Sequence, residues 1–236
     1  MTTKPLGRIV GETDLQSKTL HACNVTDESA LATVSRFLSK HEVEKVKDKT
    51  ASGQPRDTLV LQSDGRFVAA NSIQTVARFA SRDDQPSDRA EIPAVIQHLD
   101  GTRFRSYDKR RMIMASRNVE FRAWNDGEGT LHSGFQQLSK VDFQRNVYRN
   151  LSRSDLDVHV YGQADWERPD DLDLTVHASD AKEVTKHWWV VYDGNGRDDR
   201  KAALLAQETG DNEFYGFWTY DARTTDEVLD RLAAMG

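Results

Sequence analysis

Apolar positions recur along this chain with two periods, and each period names an element. Between residues 26 and 40, Ala30, Leu31, Val34, Phe37 and Leu38 share one helical face, with Thr26 placed to cap it. Residues 42–49 alternate charges with Val43 and Val46 and stop at Gly53 and Pro55, as an edge strand or irregular segment ending in a turn would. Residues 58–61 and 66–70 flank Asp64-Gly65 and form the clearest hairpin, because Asp-Gly accepts the positive φ of a tight turn. Short helices are expected over 72–80 and 92–99, the second with Pro93 in its first turn. Residues 1–20 are polar and expected to fray. Residues 81–88 read as a polar linker and the best internal boundary.

The second half is denser. A helix is predicted from a Ser106 cap to Trp124, with Met112, Ala115, Val119 and Ala123 in one stripe that Met114, Phe121 and Trp124 widen. A strand over 130–136 precedes a helix over 141–151 that offers Phe143, Val147, Tyr148 and Leu151 for burial. Strands are predicted over 156–161, 172–176, 187–192 and 214–220. Residues 180–186 read as a short helix or loop, 193–196 as a turn and 201–209 as a helix. A Thr224/Glu227 capping box opens the last helix, which carries Leu229, Leu232 and Ala233. This order predicts an α/β fold, a mixed or largely parallel sheet covered by helices, with an N-terminal α+β extension that contains the hairpin. The expected division is a 1–105 region packed on a 106–236 domain.

Composition narrows the function classes. With 37% hydrophobic and 30% charged residues the chain suits a folded soluble protein rather than a disordered one. No apolar run approaches membrane-span length, and no apolar leader marks the N-terminus, so a cytoplasmic protein without a membrane is expected. A lone cysteine, Cys23, excludes an internal disulfide framework and a cysteine-based zinc cluster within one chain. The net charge of -6 is uneven: residues 1–106 carry 15 Lys+Arg against 14 Asp+Glu, and residues 107–236 carry 17 against 24. An acidic second half argues against duplex DNA as the main partner. Lys40, Lys45, Lys47 and Lys49 are interrupted by Glu42, Glu44 and Asp48, which reads as a solvated segment. All eleven Trp and Tyr lie at or after Tyr107, so large pocket-forming side chains concentrate in the second half.

Most motifs with a known chemistry are absent. Gly194-Asn195-Gly196 lacks the further glycine of a dinucleotide loop and has Asp198 and Asp199 beside it, so a plain turn explains it better than a phosphate site. Ser133 follows His132 but has no acid partner placed by sequence, and no catalytic residue is assigned. Seven histidines form no short metal spacing, and no metal or cofactor is named. Three of them, His132, His159 and His187, fall on predicted strands. Alternation puts His159 with Tyr161 on one face and Val158 with Val160 on the other, and it sets His132, Gly134 and Gln136 opposite Leu131, Ser133 and Phe135. Trp188 and Trp189 must point to opposite faces. Arg117 and Glu120 are three apart, close enough for an ion pair on one helix face, and Arg110, Arg111 and Arg122 accompany them. Separate strand histidines, core tryptophans and a solvated helix face are the bland account. The sharper expectation is a ligand pocket lined by His132, Gln136, His159, Tyr161, His187 and Trp218, with Arg117 and Glu120 on the nearby helix.

The order of segments resembles a known family. Tyr107-Asp108-Lys109-Arg110-Arg111-Met112, Ala115-Ser116-Arg117-Asn118-Val119-Glu120 and Ala123-Trp124 are similar to the opening helix of the DICT sensory domain, which is associated with diguanylate cyclases and two-component systems. Gly129-Thr130-Leu131-His132-Ser133-Gly134-Phe135-Gln136 and Asp157-Val158-His159-Val160-Tyr161-Gly162 resemble its next strands. His187-Trp188-Trp189-Val190-Val191 and Gly216-Phe217-Trp218-Thr219-Tyr220-Asp221 resemble its closing pair. The likeness covers residues 106–236, and the 58–70 hairpin is similar to that of longer, archaeal-type members in stand-alone form. The resemblance implies a sensory, signalling module, linked also to light response, with no established ligand and no catalytic residue to carry over. Its signal would leave through a protein contact or a homodimer. Two rivals remain: a hydrolase-like enzyme using a histidine base, and a nucleic-acid-associated regulator acting through residues 1–106.

Overall fold

The computed structural model describes residues 3–15, 17–81 and 92–235. Most of the expected 81–88 linker therefore lies outside the described residues. The chain forms two compact units, Asp14–Arg105 and a second made of Met1–Thr13 with Ser106–Gly236. It opens with α1 (Leu6–Glu12), which the polar first 20 residues did not announce and which buries Leu6, Ile9 and Val10. The first unit then follows, with β1 (Lys18–Cys23), α2 (Glu28–Phe37), β2 (Glu44–Asp48), β3 (Thr58–Ser63), β4 (Arg66–Ser72), α3 (Ile73–Ala80) and α4 (Ala94–Gln97). Its sheet runs β2-β1-β3-β4, with β1 and β2 parallel. The Asp64-Gly65 hairpin is present, with φ of 49° and 74° at its two turn residues. Asp27 rather than Thr26 caps α2, accepting from the Ala30 N–H, while Thr26 bonds to Asp57. In the charged 42–49 segment, Lys47 pairs with Glu28 at 2.8 Å.

The chain leaves the first unit within β5 (Arg103–Tyr107). It continues through α5 (Lys109–Asp126), β6 (Glu128–Gln137), a 3-10 stretch at Leu138–Gln144, α6 (Arg145–Leu151), β7 (Asp155–Gln163), β8 (Thr175–Ala178), α7 (Lys182–Thr185), β9 (His187–Tyr192), β10 (Ala202–Gly210), β11 (Glu213–Thr219) and α8 (Ala222–Ala233). The seven-stranded sheet runs β5-β11-β10-β9-β6-β7-β8. β6, β7 and β8 are parallel to one another, and β9, β10 and β11 join antiparallel, so this is a mixed sheet in an α/β fold. α5 and α6 lie on one face. α1, α7 and α8 lie on the other, where α1 carries Gly7 against the His187 ring.

Several expectations are corrected here. Residues 201–209 are not a helix but β10, an interior strand of the sheet. Ala202–Ala206 are buried without a break, because both faces of the strand are covered, so no alternation shows and the Ala-Leu run takes on a helical look. The cap of α5 is Asp108, accepting from the Arg111 N–H at 2.9 Å, since Ser106 sits in β5 with φ 50°. Asp221, not Thr224, caps α8 and takes both the N–H and the hydroxyl of Thr224. The 141–151 helix is a 3-10 stretch followed by α6, and Phe143 is 78% exposed with the Lys109 ammonium over its ring. β8 starts three residues later than predicted. Leu172 and Leu174 are buried ahead of it and fix the entry to the strand.

Candidate functional site

Parallel strands in register carry like faces side by side, and this places the histidines. β6 and β7 pair His132 with His159, and β7 and β8 pair Tyr161 with His177. All four side chains point to the α7 side of the sheet. The His132 and His159 ring centres are 4.8 Å apart, and those of His159 and His177 are 5.1 Å apart. Tyr161 stacks on His177 at 4.3 Å with the rings 7° from parallel. The polar atoms are joined as well. His159 Nε2 meets Asp157 Oδ2 at 2.9 Å, His159 Nδ1 meets His177 Nε2 at 2.8 Å, and His132 Nδ1 meets the Tyr161 hydroxyl at 2.9 Å. With the Asp157 carboxylate accepting from His159 Nε2–H, Nδ1 is left to accept from His177 Nε2–H. The result is a directed chain, His177 to His159 to Asp157.

Burial disfavours charge on His132 and His177. It pushes His132 down to about 4, helped by the neighbouring His159 and opposed by Asp193 and Asp157. Burial and His159 also lower His177, and burial with Asp157 pushes the Tyr161 hydroxyl up to about 12. Tyr161 therefore stays protonated and donates to His132. Trp189 floors the site: its ring lies 5.5 Å from that of Tyr161 and directly over Gly134, where a Cβ would come within 2.3 Å of the indole. The buried Trp189 indole N–H has no hydrogen-bond partner.

The opposite face is built differently. α5 brings Arg117 and Glu120 against α6 and β9. Arg117 binds Glu120 and the Gln144 side-chain oxygen, and Tyr148 donates to the other Glu120 oxygen at 3.1 Å. Glu120 is buried, and its carboxylate raises the Tyr148 hydroxyl further after burial itself. Trp188 donates from Nε1 to the Ser116 hydroxyl at 3.0 Å. These groups line a cleft with Ser133 that has room for roughly one water molecule.

The eight expected residues thus divide. His132, His159 and Tyr161 meet in the imidazole cluster, and Arg117 and Glu120 meet under α5. Gln136 stands apart. It has φ 65° at the bulge where β6 loses register with β7, and it bonds to Glu208 and Lys140. His187 is buried near α1, with Nδ1 on the Glu183 carbonyl at 2.8 Å. Trp218 is buried in β11. Asp157, His177, Gln144 and Tyr148 join the two constellations without having been singled out. Asp157 was legible as the residue two before His159 on the same strand face.

A family model for DICT, described as a sensory domain in diguanylate cyclases and two-component systems, matches residues 91–209, just over half of the 236 residues. The chain belongs to the DICT family. No curated protein and no solved structure matches it. The DICT match starts ahead of α5 and stops within β10, so it contains the imidazole cluster and the Arg117–Glu120 cleft. The closing stretch at 216–221, which resembles the family, lies beyond it, as do α1 and α8. A DICT domain is a sensory domain of signalling proteins, and sensing in signal transduction is accordingly the role of this chain. Among the described residues no helix is long and apolar enough to cross a membrane, and no group of three His, Cys, Asp or Glu is placed to hold a metal ion.

Proposed function

We propose that this DICT protein takes its input at the imidazole cluster, as a small ligand that hydrogen-bonds to His132, His159 or His177 beside Tyr161. The observation that carries this reading is the direct contact of three imidazoles and a tyrosine on one half-exposed sheet face, next to an edge strand. Clustered, shifted titratable groups are uncommon where only packing is needed. Aromatic faces supply apolar contact and the ring nitrogens supply direction. The cleft under α5 supports a ligand less well, because its charges already satisfy one another and its free space is small.

A second reading is favoured by the position of the cluster. Thr175 and Val176 of β8 are exposed on an open sheet edge, which suits an added strand from a signalling partner. The test is native mass spectrometry, with an absorption spectrum, of the protein purified from its own host. A bound small molecule in the parent that is lost in His132→Asn supports the ligand reading. An empty, colourless parent protein rejects it and leaves the partner reading.

A further inference from the structure

We infer that β8 is an acid-released edge strand, held against β7 at neutral pH by the contacts of His177 with His159 and Tyr161 and freed when His159 and His177 are both charged. This rests on the reading of the cluster as the input site and adds the proton as a regulator of it. The geometry makes the switch a matter of proton count. Ring nitrogens 2.8 Å apart hold one hydrogen between them. A first added proton leaves that bond intact, because His177 can take it on its other nitrogen and still donate to His159. The Tyr161 ring stacked on His177 and the Asp157 carboxylate at the far end both favour that single charge. A second proton points two N–H groups at each other and sets two cations 5.1 Å apart, ring centre to ring centre.

The strand that gives way is then decided by attachment. β6 and β7 are long and lie between other strands. β8 has four residues, mostly exposed, and only β7 beside it. Short, exposed edges open at the lowest free energy, so a modest electrostatic push suffices there. The charged groups facing the cluster are few. Among the described residues, Asp157 on β7 favours a proton on His177 and the neighbouring His159 opposes it, while on β6 Asp193 and Asp157 favour a proton on His132 and His159 and His177 oppose it. α7, which also packs on β6 and β7, turns its Glu183 to Arg231 and leaves Lys182 and Lys186 exposed. Burial disfavours charge on His177 while β8 is closed, so acid below the ordinary imidazole value favours the open form.

The test is amide exchange of the ligand-free full chain, read by NMR at pH 7.5 and 4.5 and corrected for intrinsic rates. Protection of residues 175–178 is expected to fall on the order of tenfold, the factor that one pKa unit supplies. Amides of β10 should keep theirs. In His177→Gln, which can donate to His159 but cannot charge, β8 protection should not depend on pH. In the unaltered chain the loss should track the titration of the His159 and His177 rings. Unchanged β8 protection, the same loss in His177→Gln, or loss at a pH unrelated to the ring titrations overturns the switch. A missing ligand in the mass spectrum rejects the small-molecule reading, whereas pH-independent β8 protection rejects the proton switch, so the two failures are read separately.

Discussion

The two faces of the larger sheet are made by the same strands, offset by one residue, and they handle buried polarity in opposite ways. Under α5, a carboxylate and a guanidinium meet, and Gln144 and Tyr148 complete their bonds. On the α7 side, four ring groups meet with no fixed charge among them and one carboxylate at the rim. The first face is charged and closed, so a proton or a small molecule finds nothing to complete. The second is built of imidazoles, two of which burial holds toward the neutral form, so either can change it. Neighbouring residues encode both: Trp188 donates to Ser116 on the first face, while Trp189 covers Gly134 on the second. A sheet can thus pin a helix on one side and respond on the other.

This contrast can be broken from either side. The largest effect is expected for Glu120→Ala, which takes the counter-ion from the Arg117 guanidinium and the carboxylate acceptor from the Tyr148 hydroxyl under α5. Removing one partner of a buried pair costs about 3–5 kcal/mol, and partial exposure of Arg117 puts the expected loss at the lower end of that range. Urea unfolding should show it, with the imidazole signals of the far face unmoved. Next comes acid. The folded His132 value of about 4 lies below the unfolded value of about 6.5, so the unfolded chain binds more protons as pH falls between them. Stability through His132 is therefore full above about pH 6.5 and is lost toward pH 4, by up to ~3 kcal/mol. His132→Gln should flatten that slope in denaturation midpoints measured from pH 7 to 4.

Smaller effects sharpen the comparison. Gly134→Ala drives a methyl into the Trp189 ring and should cost about 2 kcal/mol, with a change in tryptophan fluorescence. Trp188→Phe removes one hydrogen bond to Ser116 and should cost about 1 kcal/mol, read by thermal unfolding, while leaving the His132 titration in place. A Trp188→Phe variant that moved that titration would show that the faces are coupled rather than separate.

The alternation of strand residues carried most of what could be read in advance. The pairing of His159 with Tyr161, the side taken by His132 and the split of the tryptophans all follow from a period of two. Which histidines meet does not, because that depends on strand register. His132 lies opposite His159 only through the parallel pairing of β6 and β7, and His187 starts β9 well down the sheet, beside Gln207. His177 was hidden by the three-residue shift of β8. β1 was hidden by Lys18, a buried lysine that breaks an apolar pattern and is satisfied by the His98 and Asp100 carbonyls and the Asp100 carboxylate. β10 was hidden because burial on both faces erases the alternation that marks a strand.

The split of the larger unit has a consequence for the growing chain on the ribosome. The Leu6 N–H bonds to Glu183, 177 residues further on, and α1 rests on β10 and β11, made later still. The unit at Asp14–Arg105 has all its strands in hand long before then. During synthesis Leu6, Ile9 and Val10 therefore lack their packing partners until β10 and β11 have been made, so α1 is translated well before the strands that seat it.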